Sequence, residues 1–95
     1  MHAPYYLASK LVQEIYAAHV AMDRGLRLVT LRPSAVYGPG MSPRGVLPTF
    51  ARALLAHEPI ELADGGRYGV DMVFVEDVGR ATEAALERPV RGAFN

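Results

Sequence analysis

Cysteine and tryptophan are absent from the 95 residues, and lysine occurs once, at Lys10. Without cysteine, a disulfide framework and thiolate chemistry are both excluded. Histidine clusters are lacking too: His2, His19 and His57 fall in three separate segments with no ligand spacing, so no metal site is expected. No apolar run approaches the roughly 20 residues of a membrane span, which argues against a membrane partner. Neither sign of charge prevails. Ten basic residues balance ten acidic ones, the arginines are scattered, and no basic stripe points to nucleic acid. Met1-His2-Ala3-Pro4 leads straight into a helical pattern without the apolar segment and cleavage site of a signal peptide, so a cytoplasmic setting is expected. What remains is ordinary globular composition, 51% hydrophobic and 21% charged. One small domain at most is expected, with a thin stability margin, because a chain of this size buries only roughly two-thirds of its unfolded surface.

Periodicity predicts a helix from about Tyr5 to Met22, with Pro4 suited to its first turn and Gly25 just past its end. Leu11, Ile15 and Met22, flanked by Ala8, Val12 and Ala18, form its apolar stripe. Tyr6, Lys10 and Glu14 follow i, i+4 steps and form a polar face of their own. Leu26 to Arg32 reads as a buried strand ended by Pro33, and helix followed by strand is half of a βαβ unit. Ser34 to Gly45 reads as a loop, and Val46 to about His57 as a second helix that Pro59 stops. A short strand is expected at Ile60-Glu61-Leu62, a turn at Asp64-Gly65-Gly66 and a strand at Asp71 to Val75. Glu76 and Asp77 then open a third helix, Asp77 as its cap, with Val78, Ala81, Thr82 and Ala85 as its inner stripe. Gly92 to Asn95 reads as the opening of another strand.

The sharpest chemical feature is Tyr6 followed by Lys10. Four residues apart on a helix, the two side chains stand side by side. A free phenol ionises near pH 10 and is a poor base at neutrality, whereas a neighbouring ammonium favours the phenolate. Bringing a phenol into the neutral range takes roughly 4 kcal/mol of differential stabilisation. An ammonium in partly dry surroundings, aided by the positive charge of an oxidised nicotinamide, is of the right size to supply it. Such a tyrosine exchanges a proton with a substrate hydroxyl or carbonyl. Arginine in place of Lys10 would be the wrong shape to hold ribose hydroxyls and sit beneath the phenol together. The plainer reading is helix support, which Tyr–Lys pairs at this spacing also give.

Context decides between the two. Pro4-Tyr5-Tyr6-Leu7-Ala8-Ser9-Lys10, then Glu14, then Leu31-Arg32-Pro33-Ser34-Ala35-Val36-Tyr37-Gly38-Pro39-Gly40 resembles the extended short-chain dehydrogenase/reductases, the NAD-dependent epimerase/dehydratase family. Asp71-Met72-Val73-Phe74-Val75-Glu76-Asp77-Val78 and the closing Gly92-Ala93-Phe94-Asn95 continue the resemblance in the family's order and at about its spacing.

The resemblance implies an α/β fold, an incomplete Rossmann-like arrangement of the tyrosine helix, a parallel strand and part of the C-terminal substrate-binding region. Residues 1–37 would close the nucleotide-binding core, and 38–95 would form the substrate-binding region with its returning strand and helix. It implies Tyr6 as acid/base, Lys10 holding the nicotinamide ribose of NAD or NADP, and Pro33, Ser34, Ala35 and Val36 lying against the nicotinamide. The small-molecule substrate would be a secondary alcohol of nucleotide-sugar or sterol type. Tyr37, Arg44 and Arg67 are candidate substrate contacts, though a solvated loop arginine is the simpler account of the last two. Where nucleotide-sugar members carry an asparagine this chain has Ala35, and Val70-Asp71-Met72 stands where a diphosphate-binding arginine would be; both weaken a UDP-sugar reading, and Val70-Asp71 is closer to the sterol-dehydrogenase and flavanol-reductase branches.

The family's dinucleotide loop and its substrate-binding serine or threonine belong to segments before the tyrosine helix and are expected upstream of Met1. Gly38-Pro39-Gly40 is a lone G-x-G with a proline in place of a phosphate-binding N–H, and it reads as a turn. The adjacent carboxylates Glu76 and Asp77 read as helix-end residues rather than an acid/base dyad. A homodimer seam along the tyrosine helix is implied for the full-length protein. An unpartnered strand edge would make the isolated chain prone to association. The alternative to an enzyme is an inactive piece that serves as a folding or dimerisation module.

Overall fold

The computed structural model describes residues 3–95; His2 lies outside the described residues. The chain is α/β, a partial Rossmann-like fold of three helices and four short strands. In order these are α1 (Ala3–Arg24), β1 (Val29–Leu31), β2 (Ala35–Tyr37), α2 (Val46–Leu55), β3 (Met72–Phe74), α3 (Val75–Glu87) and β4 (Gly92–Phe94). Contacts divide them into two compact units, Met1–Arg32 with Ala84–Asn95, and Pro33–Glu83.

In the first unit β1 pairs in parallel with β4, Val29 opposite Gly92 and Leu31 opposite Phe94. Helix α1 leads into β1 through Gly25, whose left-handed φ of 62° lets the Leu26 N–H reach back to the Ala21 carbonyl at 2.8 Å. That reverse bond closes the helix in the manner glycine favours. Ala21, one residue type that costs no side-chain entropy to bury, is the buried core residue of the described chain. The apolar stripe of α1 is displayed rather than covered: Leu11 is 61% and Met22 77% exposed.

Arg27 holds this unit together over a long sequence separation. Its guanidinium donates to the carbonyls of Ala85 at 2.7 Å, Leu86 at 2.8 Å and Val90 at 3.0 Å. The first two are orphan acceptors at the C-terminal end of α3, where a cation also meets the negative end of the helix dipole. Arg27→Ala is expected to destabilise the chain by about 1–3 kcal/mol, read as a lower urea midpoint.

In the second unit β2 pairs in parallel with β3, Ala35 opposite Met72 and Tyr37 opposite Phe74. Parallel neighbours need a crossover, and α2 lies in the connection between them. The stretch expected to be loop from Ser34 onward therefore contains a strand. Its Ala-Val-Tyr alternates between half-buried and exposed positions, the pattern of a pleated surface, but three residues are too few for periodicity to declare it. The Tyr37 and Phe74 rings face each other across the pair, centroids 5.5 Å apart.

Four further expectations are corrected. Helix α2 ends at Leu55, not at His57. The His57 N–H reaches the Leu54 carbonyl and the Glu58 N–H the Ala53 carbonyl, with His57 itself in the left-handed region at φ 57°. This is the paired reverse bonding that usually employs glycine, and it stops the helix before Pro59 can. Residues 60–62 form no strand: the segment pairs with nothing among the described residues, and three residues with a charged centre offer little to a sheet. Helix α3 begins at Val75, so Asp77 lies inside the first turn rather than capping it. There it pairs with Arg80, one turn along, and both Asp77 and Glu76 remain suited to the helix's positive end. The expected inner stripe of α3 is only half-buried at Val78 and Ala85, and Ala81 and Thr82 are exposed.

Candidate active site

The polar face of α1 is an accident of neither composition nor propensity. Steps of four residues advance the helix by slightly more than one turn, so Tyr6, Lys10 and Glu14 climb one strip of the cylinder. Lys10 Nζ lies 5.4 Å from the centroid of the Tyr6 ring, within the range at which an ammonium is attracted by an aromatic face. Tyr6 is 49% exposed, so its phenol is open to solvent and to an incoming ligand. One turn below, Ser9 turns its hydroxyl back onto the Tyr6 carbonyl at 2.7 Å, spending that hydroxyl on the backbone of the helix.

Glu14, the third member of the strip, is engaged by Arg32 at the end of β1. Arg32 Nε donates to Glu14 Oε1 at 2.9 Å and Nη2 to Oε2 at 2.7 Å. This two-pronged match is the strong form of an arginine–carboxylate contact. The hydrogen bond from Arg32 holds the Glu14 carboxyl below the usual carboxylate range, partial burial opposes it, and the same bond raises Arg32. A carboxyl lowered on folding contributes stability above its ordinary value of 4.5 and loses it as the pH falls through the lower folded value. The chain is therefore expected to lose stability in acid through this pair, and Glu14→Gln to flatten that part of a pH series of urea midpoints.

The remaining candidates lie in the second unit. Pro33 and Ser34 are exposed and irregular, and Ala35 and Val36 open β2. The Ala35 N–H is taken by the Asp71 carbonyl at 3.3 Å, so Asp71 serves the sheet through its backbone. Tyr37 packs its ring on Phe74. Arg44 stands in the loop before α2, where its N–H meets the Ser42 hydroxyl at 3.4 Å, and Arg67 follows the turn at Ala63–Gly66; both are exposed.

Gly38 is explained by packing. A Cβ built on it would overlap Val75 Cγ1 at the start of α3, so the residue is glycine because backbone and side chain meet there. The G-x-G at 38–40 is accounted for without a phosphate. The residues present fit the nicotinamide-ribose end of a dinucleotide, through an ammonium and a phenol on one open face, and offer no G-x-G-x-x-G cradle for its pyrophosphate. Among the described residues no cluster of three His, Asp or Glu side chains converges on a point, and no helix is long and apolar enough to cross a membrane.

The sequence pointed to Tyr6 and Lys10 but not to the coupling of Glu14 with Arg32, nor to the role of Arg27. The partners of each pair stand 18 or more positions apart, beyond any local pattern. The strip of four-residue steps was the available signal for Glu14; nothing in the sequence marked Arg27.

Comparison with known proteins agrees in kind. The model of the NAD dependent epimerase/dehydratase family matches residues 2–95. A UDP-D-apiose/UDP-D-xylose synthase of rice (Oryza sativa subsp. japonica) is 31% identical over 92% of this chain and 24% of its own length. UDP-D-apiose/UDP-D-xylose synthase 1 of Arabidopsis thaliana is 31% identical over 92% of the chain and 25% of its own. A trifunctional UDP-glucose 4,6-dehydratase/UDP-4-keto-6-deoxy-D-glucose 3,5-epimerase/UDP-4-keto-L-rhamnose-reductase of Arabidopsis thaliana is 28% identical over 87% of the chain and 12% of its own. The chain thus spans a quarter or less of the length of these relatives.

Proposed function

Because the chain belongs to the NAD-dependent epimerase/dehydratase family, we propose that it carries the proton-transfer half of a family active site, with Tyr6 as the acid/base and Lys10 as its electrostatic partner. The observation that carries the reading is the ammonium of the single lysine lying over the ring of Tyr6, four residues before it. Bound NAD or NADP would supply hydride exchange at a carbon that bears a hydroxyl. Tyr6 takes the proton of that hydroxyl or returns one to the carbonyl. The Lys10 ammonium, which lies over the Tyr6 ring, acts as that tyrosine's electrostatic partner, and its N–H donors hold the nicotinamide ribose. Pro33, Ser34, Ala35 and Val36 line the nicotinamide, and Tyr37, Arg44 and Arg67 meet the substrate. Residues 1–37 finish the nucleotide-binding core and 38–95 begin the substrate-binding region. The setting is cytoplasmic.

The substrate class we propose is a nucleotide sugar. Ala35 and Val70-Asp71 lean the other way on sequence, but the relatives above are named for UDP-sugars. The test is a chimera: the rice relative with its matched segment exchanged for this chain, offered NAD with a panel of UDP-sugars and a sterol alcohol while conversion of each compound is followed by chromatography, and any net reduction of nicotinamide by absorbance. Turnover of at least one UDP-sugar is expected. Binding of NAD with turnover of the sterol alone would overturn the substrate class.

A second reading rests on α1. Its exposed Leu11, Ile15 and Met22 form an apolar stripe suited to pairing with a second helix, which supports a homodimer along the tyrosine helix and, without catalysis, a dimerisation module.

A further inference from the structure

Lys10 has two rivals for its ammonium. Tyr6 lies four residues before it and Glu14 four residues after it, and both spacings bring side chains together on a helix. The carboxylate, as the oppositely charged partner, ought to compete with the ring. Yet the ammonium is found over Tyr6, and the ion pairs among the described residues are Arg32–Glu14 and Arg80–Asp77. Each Glu14 oxygen accepts one bond from the Arg32 fork, Oε1 from Nε and Oε2 from Nη2, and the guanidinium's charge offsets that of the carboxylate.

We infer that Arg32 is a positioning residue that acts through Glu14: by holding the carboxylate and offsetting its charge it keeps Lys10 free to lie over Tyr6. The inference rests on the proposed role of the Tyr6–Lys10 pair, since a lysine drawn down to Glu14 would leave the phenol without its ammonium. It explains why the residue at the end of β1 is an arginine. A lysine there would be a single mobile point charge without the two-pronged hold on the carboxylate. It differs from a brace between α1 and β1. A brace fails whichever partner is removed, whereas a sequestering contact matters only while Glu14 is present.

That difference sets the experiment. Because the chain has one lysine, labelling with 13C,15N-lysine gives one ε-methylene signal in the NMR spectrum of the whole chain. A methylene held over an aromatic ring is displaced upfield, and Tyr6→Leu defines the undisplaced position. Arg32→Ala is expected to reduce the displacement by roughly half, because an exposed cation–ring contact and an i, i+4 ion pair are of comparable strength. Glu14→Gln alone is expected to leave the displacement intact. The double variant E14Q/R32A is expected to restore it.

An unchanged signal in R32A overturns the inference, and so does a double variant that stays with R32A, since Arg32 would then only brace the helix. If R32A loses its helical circular dichroism, Gln13→Glu decides with Arg32 in place. A new carboxylate three residues beyond Lys10 is expected to draw the ammonium down and lose a similar share of the displacement, and an unchanged signal there is equally fatal. None of these readings uses NAD or substrate. An inactive chimera would therefore sink the proposed function alone, and an unmoved methylene would sink the role of Arg32 alone.

Discussion

Replacing Tyr6 with phenylalanine is expected to cut kcat of the chimeric enzyme by roughly 10²–10⁴-fold, while NAD binding stays close to that of the parent. The change deletes one oxygen and keeps the ring on which Lys10 rests, so the helix face and the ammonium's position survive it. What is lost is the group that exchanges a proton with the substrate oxygen. The span corresponds to about 2.7–5.5 kcal/mol of transition-state stabilisation, far more than a half-exposed packing contact is worth. Lys10→Met tests the other partner and should behave differently, weakening NAD binding and slowing turnover together, because that side chain is proposed to serve both ribose and phenol. A Tyr6→Phe enzyme with nearly full kcat would mean that another group moves the proton, and the pairing on α1 would be helix support after all.

The contrast between what the sequence disclosed and what it hid follows sequence distance. The Tyr6–Lys10 pair was legible because one helical turn is a local object: residue spacing alone brings the two side chains together once the helix is granted. The three helices were legible for the same reason, through apolar spacing and terminal proline or glycine. Their ends were less so. Helix α2 closes on a left-handed histidine, a conformation that composition assigns to glycine, and α3 starts directly from β3 with its acidic pair already inside.

Strand β2 went unseen because three residues carry no measurable period, and its existence depends on β3, whose paired residues lie 37 positions further along the chain. The absence of a strand at 60–62 is the complementary case. The residues there are permissive, but pairing requires a partner, and partners are chosen by the tertiary fold. Glu14–Arg32 and Arg27 with the α3 carbonyls belong to the same class of information. Each joins a helix to the strand region through a polar contact whose charged side chains look, in sequence, like ordinary surface residues.

The chain by itself is expected to bind NAD more weakly than about 1 mM, a free energy smaller in size than roughly 4 kcal/mol. Most of a dinucleotide's fixed charge is on its pyrophosphate, which a Rossmann fold holds with the backbone N–H groups of a glycine-rich turn at a helix N-terminus. These residues offer nothing equivalent. Gly38 is committed to its approach to Val75, Pro39 lacks an N–H, and α2 opens at Gly45 after an intervening loop. What the chain does offer is the Lys10 ammonium and the Tyr6 phenol on an open helix face, contacts that lose much of their strength to water when nothing else excludes it. Calorimetric titration of the purified chain should therefore show no saturation below millimolar NAD. The chimera, which contributes the rice relative's remaining length, should bind at least tenfold more tightly, about 1.4 kcal/mol. Saturation of the chain alone at or below millimolar NAD would mean that these residues grip the pyrophosphate by a route other than a glycine-rich turn, and the assignment of Lys10 to the ribose would have to be reconsidered.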